Sequence, residues 1–284
     1  MHLLRLGPVG TERPAVVGDD GLTYDLTPLT PDITGAFLAA GGLTAVREAL
    51  AVGALPALDP SGLRVGPPLT RPGKIVCVGL NYRDHAAETG AELPAEPVLF
   101  MKAANTVVGP DDEVLVPRGS TKTDWEVELG VVIGAPASYL DSPADAAGVI
   151  AGYLLSHDVS EREFQLERGG TWDKGKSCPT FNPLGPWLVP ADQVPDPQKL
   201  GLRLWVNGVL QQDGSTADMV FGVHHLVHYV SQFMALEPGD VLNTGTPAGV
   251  ALGRPDPKPF LRPGDVVELE IDGLGRQRQT IGQG

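Results

Sequence analysis

The sequence predicts an α+β fold built on a mixed, rolled β-sheet, and three observations support this. Glycine and proline are frequent, with 36 and 27 residues among 284, which is typical of many short strands joined by turns. Two strand–turn–strand patterns, centred on Asn207-Gly208 and Asp272-Gly273, predict hairpins. Only residues 219–236 have the three- and four-residue apolar spacing of a long helix.

Residues 1–70 are expected to form a small N-terminal α+β domain. Short strand-like pieces precede two brief helical patterns at residues 33–40 and 43–52. Residues 53–72 are rich in glycine and proline, which indicates a linker. The second domain is therefore expected to span residues 71–284.

The composition limits the classes of partner. The formal net charge of −14 argues against nucleic acid or an anionic membrane, and any anionic substrate needs a local positive centre. The two cysteines are too few for a disulfide scaffold or a thiolate zinc site. No stretch has the apolar length of a signal peptide or a membrane span. We expect a cytoplasmic protein.

The elements after residue 74 follow in order from short apolar runs and turn residues. A buried strand at residues 75–78 ends at Gly79, and a helical turn at residues 81–88 is closed by Gly90. Strand patterns follow at residues 98–102 and 113–116. Three further patterns predict a short helix opened by Ser142-Pro143, a strand at residues 151–157, and a helix at residues 160–168 that begins with a Ser160–Glu163 capping box.

An acidic strand carries the strongest chemical signal. With a period of two, Asp124, Glu126 and Glu128 point to one side and apolar residues to the other. A strand with one face in water is the ordinary interpretation. However, residues 131–133 continue the run with no polar face, which is typical of a strand buried on both sides. Buried carboxylates need neutralisation, and a divalent cation is the usual solution. We therefore predict a metal site.

Asp158 is the candidate third ligand. It follows an apolar strand and precedes a capped helix, so it could also be a turn residue. As a ligand it would complete, with Glu126 and Glu128, the oxygen-only site that Mg²⁺ or Mn²⁺ prefers.

His85 and Glu88 lie three residues apart on one face of a helical turn. An isolated pair of this kind is more often a surface pair. In the functional interpretation, the carboxylate orients the imidazole, which then activates a water molecule. His224, His225 and His228 lack an acidic or cysteine partner nearby, so we interpret them as helix-face residues.

Lys174 and Lys176 flank Gly175 in a loop that also contains an aromatic residue. Either lysine could be solvated or could neutralise a substrate carboxylate. The local sequence favours neither interpretation.

Taken together, the motifs resemble the fumarylacetoacetate hydrolase family over residues 71–284. The segments that carry the resemblance, in chain order, are Gly79-Leu80-Asn81-Tyr82-Arg83-Asp84-His85, Phe100-Met101-Lys102, Glu126-Val127-Glu128-Leu129-Gly130, Asp158-Val159-Ser160-Glu161-Arg162, Gly175-Lys176-Ser177 and Thr244-Gly245-Thr246-Pro247. The resemblance implies a mixed β-sandwich roll, usually a homodimer, with one Mg²⁺ or Mn²⁺ per subunit. The first 70 residues do not resemble the N-terminal domain of the founding enzyme.

The resemblance also assigns roles to residues by position. It implies metal ligation by Glu126, Glu128 and Asp158, with Asp124 left as a neighbouring or surface acid. The remaining implied roles are water activation by His85 and Glu88, the active-site lysine at Lys176 rather than Lys174, and substrate binding by Tyr82, Lys102, Arg162, Gln165 and Thr246.

Within this family, the sequence is most similar to the bacterial branch that resembles 2,4-diketo-3-deoxy-sugar-acid hydrolases and acylpyruvases. The implied reaction is hydrolysis of the C3–C4 bond of a 2,4-diketo acid to pyruvate and a carboxylic acid, on a small anionic keto-acid substrate. Decarboxylation of oxaloacetate or a related 2-keto diacid, and isomerisation or dehydration of a 2-keto-3-deoxy acid, stay open. A non-catalytic metal-binding scaffold has no need of the dyad, the lysine and the arginine together.

Overall fold

The structure is a computed structural model that describes all 284 residues, and it confirms the α+β prediction. The N-terminal part contains a four-stranded antiparallel sheet. In spatial order its strands are Thr23–Asp25, Arg13–Val17, His2–Leu6 and Val65–Gly66. The two predicted helices near residues 33–52 are Gly35–Ala39 and Gly42–Ala51.

A six-stranded mixed sheet forms the centre of the molecule. In spatial order its strands are Val189–Pro190, Ile150–His157, Val127–Ile133, Val241–Asn243, Ile75–Gly79 and Val98–Lys102. Val241–Asn243 and Ile75–Gly79 are parallel, and every other neighbouring pair is antiparallel. Every residue of Val127–Ile133 is buried, which agrees with the uninterrupted apolar run at its end.

A five-stranded sheet packs against one face of the six-stranded sheet. In spatial order its strands are Val209–Ser215, Gly201–Val206, Val266–Ile271, Gly275–Gln283 and Val114–Val116. The predicted turn at Asn207-Gly208 is confirmed, because both residues have positive φ angles, of 51° and 76°. A core of 35 buried residues joins the two sheets.

Alternation along the central strand separates the two sides of the sheet. Val127, Leu129 and Val131 face the core shared with the five-stranded sheet. Val132 belongs to a second core of 19 buried residues, which also contains Leu26 and other side chains of the N-terminal part. Residues 1–70 therefore pack against the opposite face of the sheet.

The remaining elements are short. Two small sheets pair Val107–Val108 with Asn182–Pro183 and Thr123–Asp124 with Ser160–Glu161. The other α-helices are Arg83–Thr89, Arg162–Leu166, Asp173–Lys176 and Val223–Ser231. The 3₁₀-helices are Ala104–Thr106, Pro143–Gly148, Ala191–Gln193, Thr216–Asp218 and Ala251–Gly253. None of the helices combines the length and the apolar character that crossing a membrane requires.

The long helix predicted at residues 219–236 is wrong in its extent, since the observed helix is Val223–Ser231. The backbone N–H groups of Val220 and Phe221 donate to Asn81, which holds the preceding segment in a non-helical path. Beyond the helix, Leu236 forms a backbone bridge with Ala137. Tertiary hydrogen bonds therefore override the apolar periodicity at both ends.

The predicted capping box at Ser160 is also wrong. The helix begins at Arg162, and the Glu161 carboxylate accepts the Phe164 N–H at 2.6 Å. Ser160 instead donates through Oγ to the carbonyl of Asp158. Ser160 and Glu161 pair with Thr123–Asp124 as a short strand, which leaves only Glu161 in the capping position.

Candidate active site

Three buried carboxylates converge at the end of two paired strands. One oxygen from each of Glu126, Glu128 and Asp158 lies within 4.8 Å of the others. Glu128 lies within the strand Val127–Ile133, and the Asp158 N–H donates to the Glu126 carbonyl at 3.0 Å. Antiparallel pairing of the neighbouring strands therefore brings Asp158 beside the two glutamates.

Positive side chains neutralise two of the three carboxylates. Lys176 Nζ donates to Glu126 Oε2 at 2.6 Å and to Asp158 Oδ2 at 2.9 Å. Arg162 Nη2 donates to Glu126 Oε1 at 2.7 Å, and Lys102 Nζ donates to Asp158. Burial alone would raise the pKa of Glu126, but Lys176 and Arg162 outweigh burial and hold this pKa well below its usual range.

Glu128 has no such cation partner. Its carboxylate accepts a hydrogen bond from the Gly245 N–H at 2.8 Å. Burial raises the pKa of Glu128 well above its usual range, and the charges of Asp158 and Glu126 raise it further. Three clustered carboxylates with one left uncompensated are the ligand set that a hard divalent cation such as Mg²⁺ or Mn²⁺ prefers. The residues therefore fit the predicted cation.

The histidine and glutamate predicted as a dyad are paired. His85 Nδ1 and Glu88 Oε1 lie 2.8 Å apart on the helix Arg83–Thr89. The Gly249 N–H also donates to both Glu88 oxygens, at 2.9 and 3.0 Å, which fixes the carboxylate. Because Nδ1 of His85 is engaged, Nε2 is the nitrogen available to a water molecule.

A cavity of about 510 Å³ joins these groups, a size typical of small-molecule sites. Eight of the ionisable or polar residues that line it are Glu126, Glu128, His85, Glu88, Arg162, Gln165, Lys176 and Thr246. Asp158 is fully buried beneath Lys102 and Lys176 and does not line the cavity. Its carboxylate therefore approaches Glu126 and Glu128 from the protein interior and not from the cavity.

Two predicted substrate-binding residues lie outside the cavity. Tyr82 is fully buried in the apolar core, and its hydroxyl group has no hydrogen-bond partner. Lys102 is buried beside Asp158 and donates also to the Val159 carbonyl at 3.0 Å. The structure therefore brings Arg162, Gln165 and Thr246 to the cavity, but not Tyr82 or Lys102.

Two short helices position the arginine and the lysine. Arg162 Nη1 donates to Gln165 Oε1 at 3.0 Å within the first helix. Gly175 permits the second helix to lie close, since a Cβ atom there would lie 2.4 Å from the Glu161 carbonyl oxygen. Of the two lysines that flank Gly175, Lys176 lines the cavity, whereas Lys174 is exposed and donates to the Arg168 carbonyl.

Thr246 is held at the cavity wall by two hydrogen bonds. Its Oγ1 donates to the Val127 carbonyl at 2.9 Å and accepts Gln212 Nε2 at 2.7 Å. The preceding Gly245 has a φ angle of 95°, which glycine adopts readily. This backbone conformation also places the Gly245 N–H on Glu128.

Sequence reasoning did not identify several cavity residues. Trp172 lines the cavity and packs against Gly79. A Cβ atom on Gly79 would lie 2.3 Å from the indole ring. Leu252, Gly253 and Lys258 also line the cavity. No local pattern marks these residues, because only the tertiary fold brings their segments to the cavity.

Asp124 is fully buried, so its interpretation as a surface acid is wrong. Its carboxylate accepts the Ala251 N–H at 2.8 Å and the Leu252 N–H at 3.0 Å. Asp124 is therefore a neighbour of the site, in contact with the segment that forms one cavity wall.

The three clustered histidines stay apart from this site. His224, His225 and His228 lie on the helix Val223–Ser231 and do not line the cavity. His225 stacks between Phe221 and Tyr229 on one face of that helix. Their interpretation as helix-face residues agrees with the structure.

Fold and site together define a class of enzyme with a buried carboxylate metal site on a mixed sheet. The chain belongs to the fumarylacetoacetate hydrolase family: the family profile for the fumarylacetoacetate (FAA) hydrolase C-terminal region matches residues 74–282. A Burkholderia multivorans relative that carries only the provisional name hydrolase is 50% identical over 98% of each chain.

Solved structures of similar proteins cover several reactions. A fumarylacetoacetate hydrolase from Exiguobacterium antarcticum is 32% identical with a TM-score of 0.85, and each chain is covered completely. A maleylpyruvate hydrolase from Sphingobium sp. SYK-6, in complex with manganese(II) and pyruvate, is 29% identical with a TM-score of 0.81 over the full length of both chains. A 5-carboxymethyl-2-hydroxymuconate delta-isomerase from Mycobacterium smegmatis is 29% identical, with a TM-score of 0.79, covering 100% of this chain and 99% of that one.

Proposed function

We propose that this protein is a Mg²⁺- or Mn²⁺-dependent hydrolase that cleaves the C3–C4 bond of a 2,4-diketo acid, either an acylpyruvate or a 2,4-diketo-3-deoxy sugar acid. The observation that carries the proposal is that Glu126 and Glu128 of the carboxylate cluster, the His85–Glu88 dyad and Lys176 all line one cavity, with Asp158 completing the cluster from the buried side. The solved maleylpyruvate hydrolase with manganese(II) and pyruvate supports the same class of reaction.

Glu126, Glu128 and Asp158 would hold the cation. A bound divalent cation supplies a positive centre that polarises the keto-acid end of the substrate. Lys176 adds a second positive charge beside the same carboxylates. Burial alone would lower the pKa of Lys176, but Asp158 and Glu126 raise it above its usual range, so the ammonium group stays charged.

His85 acts as the general base in this proposal. The hydrogen bond between His85 Nδ1 and Glu88 fixes the orientation of the imidazole. Nε2 then removes a proton from water as the water oxygen bonds to C4. Glu88 stabilises the imidazolium that forms. Because the Gly249 N–H holds Glu88 in place, the dyad needs little rearrangement for this step.

Cleavage then follows from collapse of the C4 adduct. The C3–C4 bond breaks, the carboxylic acid forms at C4, and the electron pair passes to C3 and the 2-keto oxygen as the enolate of pyruvate. Two of the three Lys176 N–H groups are engaged with carboxylates, so one remains to donate to the developing negative charge. His85 returns its proton to C3, which completes pyruvate.

The test is a pyruvate-release assay with Mg²⁺ and Mn²⁺ across acylpyruvates, diketo-deoxy sugar acids and oxaloacetate. We expect pyruvate from at least one 2,4-diketo acid, and we expect chelation or Glu126→Gln to abolish it. Unimpaired turnover by the chelated enzyme or by that variant would contradict the proposal.

Two other reactions use the same enolate chemistry. The similar delta-isomerase favours isomerisation as the second candidate, and decarboxylation of a 2-keto diacid needs the cation but no attacking water. His85→Ala separates hydrolysis from decarboxylation, because only the hydrolase loses its water-activating base. The proposal also includes one ion per subunit, a homodimer and a cytoplasmic location, which metal analysis, light scattering and fractionation test.

A further inference from the structure

One buried glutamine outside the cavity contacts two parts of the carboxylate site. Gln212 is fully buried on the strand Val209–Ser215 of the five-stranded sheet. Its Oε1 accepts the Val127 N–H at 2.9 Å, and its Nε2 donates to Thr246 Oγ1 at 2.7 Å and to the Pro247 carbonyl at 2.8 Å. The amide therefore serves as acceptor once and as donor twice, a combination that only asparagine and glutamine side chains offer.

The first contact fixes the backbone between two carboxylates of the cluster. Val127 lies between Glu126 and Glu128 in the chain. The backbone ladder with the neighbouring strand Val241–Asn243 does not extend to Val127. The Val127 N–H bonds instead to Gln212, and the Val127 carbonyl accepts the hydroxyl group of the loop threonine. Side chains, and not a β-ladder, therefore hold this part of the strand.

The second contact fixes the loop that binds one of those carboxylates. The two loop residues that Gln212 contacts directly follow Gly245, whose N–H donates to Glu128 at 2.8 Å. The loop also packs closely on the strand of the glutamine, since a Cβ atom on Gly214 would lie 2.5 Å from Pro247 Cβ. Gln212 therefore joins the backbone beside the glutamates to the loop that holds Glu128.

We propose that Gln212 is a positioning residue for the cation, which holds Glu126, Glu128 and the loop around Glu128 in the geometry that binds a divalent ion. This inference rests on the cation site of the proposed function. Residues that orient metal ligands without touching the metal typically change its affinity by about 10-fold to 100-fold. Ligands that are held in place before the cation binds need less ordering, which strengthens binding.

A purely structural role for Gln212 has a different consequence, and Gln277 is the matched comparison. Gln277 is also buried and also donates twice and accepts once. Its Nε2 donates to the carbonyls of Leu155 at 2.9 Å and Gly185 at 2.8 Å, and its Oε1 accepts Gln279 Nε2 at 3.0 Å. None of these residues lines the cavity. If Gln212 served stability alone, replacement of either glutamine would affect cation binding equally.

The experiment measures Mn²⁺ affinity by calorimetry for wild type, Gln212→Met and Gln277→Met. The temperature is one at which circular dichroism shows each protein to be folded. We expect Gln212→Met to bind Mn²⁺ about tenfold more weakly or worse, and Gln277→Met to bind it as wild type does. Unchanged affinity in Gln212→Met, or equal losses in the two variants, overturns the inference.

Gly214→Ala decides the question if Gln212→Met does not fold. The added Cβ atom displaces Pro247 from the strand without removing a hydrogen-bonding group. It should also weaken Mn²⁺ binding, and wild-type affinity in this variant would then overturn the inference.

Hydrogen exchange of the cation-free proteins separates this inference from the proposed function. Gln212→Met should speed amide exchange in residues 124–129 and 244–250 by about tenfold, whereas Gln277→Met should not. If wild-type protein binds no Mn²⁺, the cation site of the proposed function fails. Faster exchange confined to Gln212→Met would still support Gln212 as the residue that positions the loop, and equal exchange in the two variants would overturn that role as well.

Discussion

Arg162 joins Asp124 to Glu126: its guanidinium donates from Nε to Asp124 at 2.8 Å and from Nη2 to Glu126 at 2.7 Å. Asp124 also accepts two backbone N–H groups at the start of the 3₁₀-helix Ala251–Gly253. The buried Asp124 carboxylate therefore holds two parts of the site in place. One is the arginine that binds Glu126, and the other is the segment Ala251–Gly253, which lies against Glu88.

Replacement of Asp124 should destabilise the protein and impair the site together. Asp124→Ala leaves the buried Arg162 with one carboxylate partner, and the loss of one member of a buried ion pair costs about 3–5 kcal/mol. We expect urea unfolding to show a loss of this size. We expect kcat to fall by about tenfold to 100-fold, because Arg162 and the wall shift.

Asp213→Ala is the control for Asp124→Ala. The Asp213 side chain is 63% exposed, and its pair with Arg203 spans 3.7 Å, so a change of less than about 0.5 kcal/mol is expected. Equal stability losses in the two variants would contradict the positioning role of Asp124.

Cation binding should release a proton and strengthen as pH rises. In the cation-free protein the pKa of Glu128 is raised by burial and by its acidic neighbours, so Glu128 holds a proton that a bound cation must displace. Mn²⁺ titrations in buffers of different ionisation enthalpy measure this release directly. Mn²⁺ binding that releases no proton and does not strengthen between about pH 5 and pH 8, above the usual pKa of a glutamate, would contradict the assignment.

The dyad should affect turnover far more than cation binding. His85→Ala removes the general base, which typically contributes about 100-fold to 10,000-fold to the rate. We expect a kcat loss in this range on whichever diketo acid the enzyme turns over. Mn²⁺ affinity, measured in parallel, should change little, because His85 is not a ligand. A comparable loss of cation affinity would place His85 in the metal site instead.

A glycine tests the dyad without removing either of its members. A Cβ atom on Gly253 would lie 2.6 Å from Glu88 Oε2, so Gly253→Ala should displace the carboxylate from His85 and lower kcat by about tenfold or more. Gly148→Ala is the matched control, since its Cβ atom would meet nothing within 4 Å. Wild-type activity in Gly253→Ala would show that Glu88 tolerates displacement.

The two cysteines should be poor nucleophiles in the folded protein. Burial raises the pKa of Cys178 to about 11 and that of Cys77 well above its usual range. At pH 8 about one Cys178 thiol in a thousand is then a thiolate, the reactive form. We expect slow iodoacetamide labelling of Cys178 and none of Cys77, with fast labelling of both in urea, as read by mass spectrometry. Fast native labelling of Cys178 would contradict this.

The parts of the site that follow local rules could be predicted from the sequence. The alternation around Glu126 and Glu128 marks a strand face, the Asn207-Gly208 pair marks a turn, and the spacing of His85 and Glu88 marks one side of a helix. Each pattern reflects backbone geometry over a few residues, and the structure contains each of them.

Features that depend on distant partners could not be predicted in the same way. The helix near residue 223 is short because Asn81, far away in the chain, binds the segment before it. Lys258 and Trp172 reach the cavity only when loops from separate parts of the chain meet. The burial of Asp124 likewise depends on Arg162 and on the segment that begins at Ala251. None of these partners is visible in a local pattern.

The N-terminal part and the central strand share one apolar core, in which Leu26 and Ile33 pack with Val132 and Leu154. Glu126, which immediately precedes that strand, begins the carboxylate cluster. Removal of residues 1–70 would therefore expose the apolar side chains on this face of the six-stranded sheet. The remaining residues 71–284 would then be prone to aggregation. A related protein with a different N-terminal part would need an equivalent apolar surface to cover this face of the sheet. The N-terminal part is therefore required for the stability of the rest of the protein.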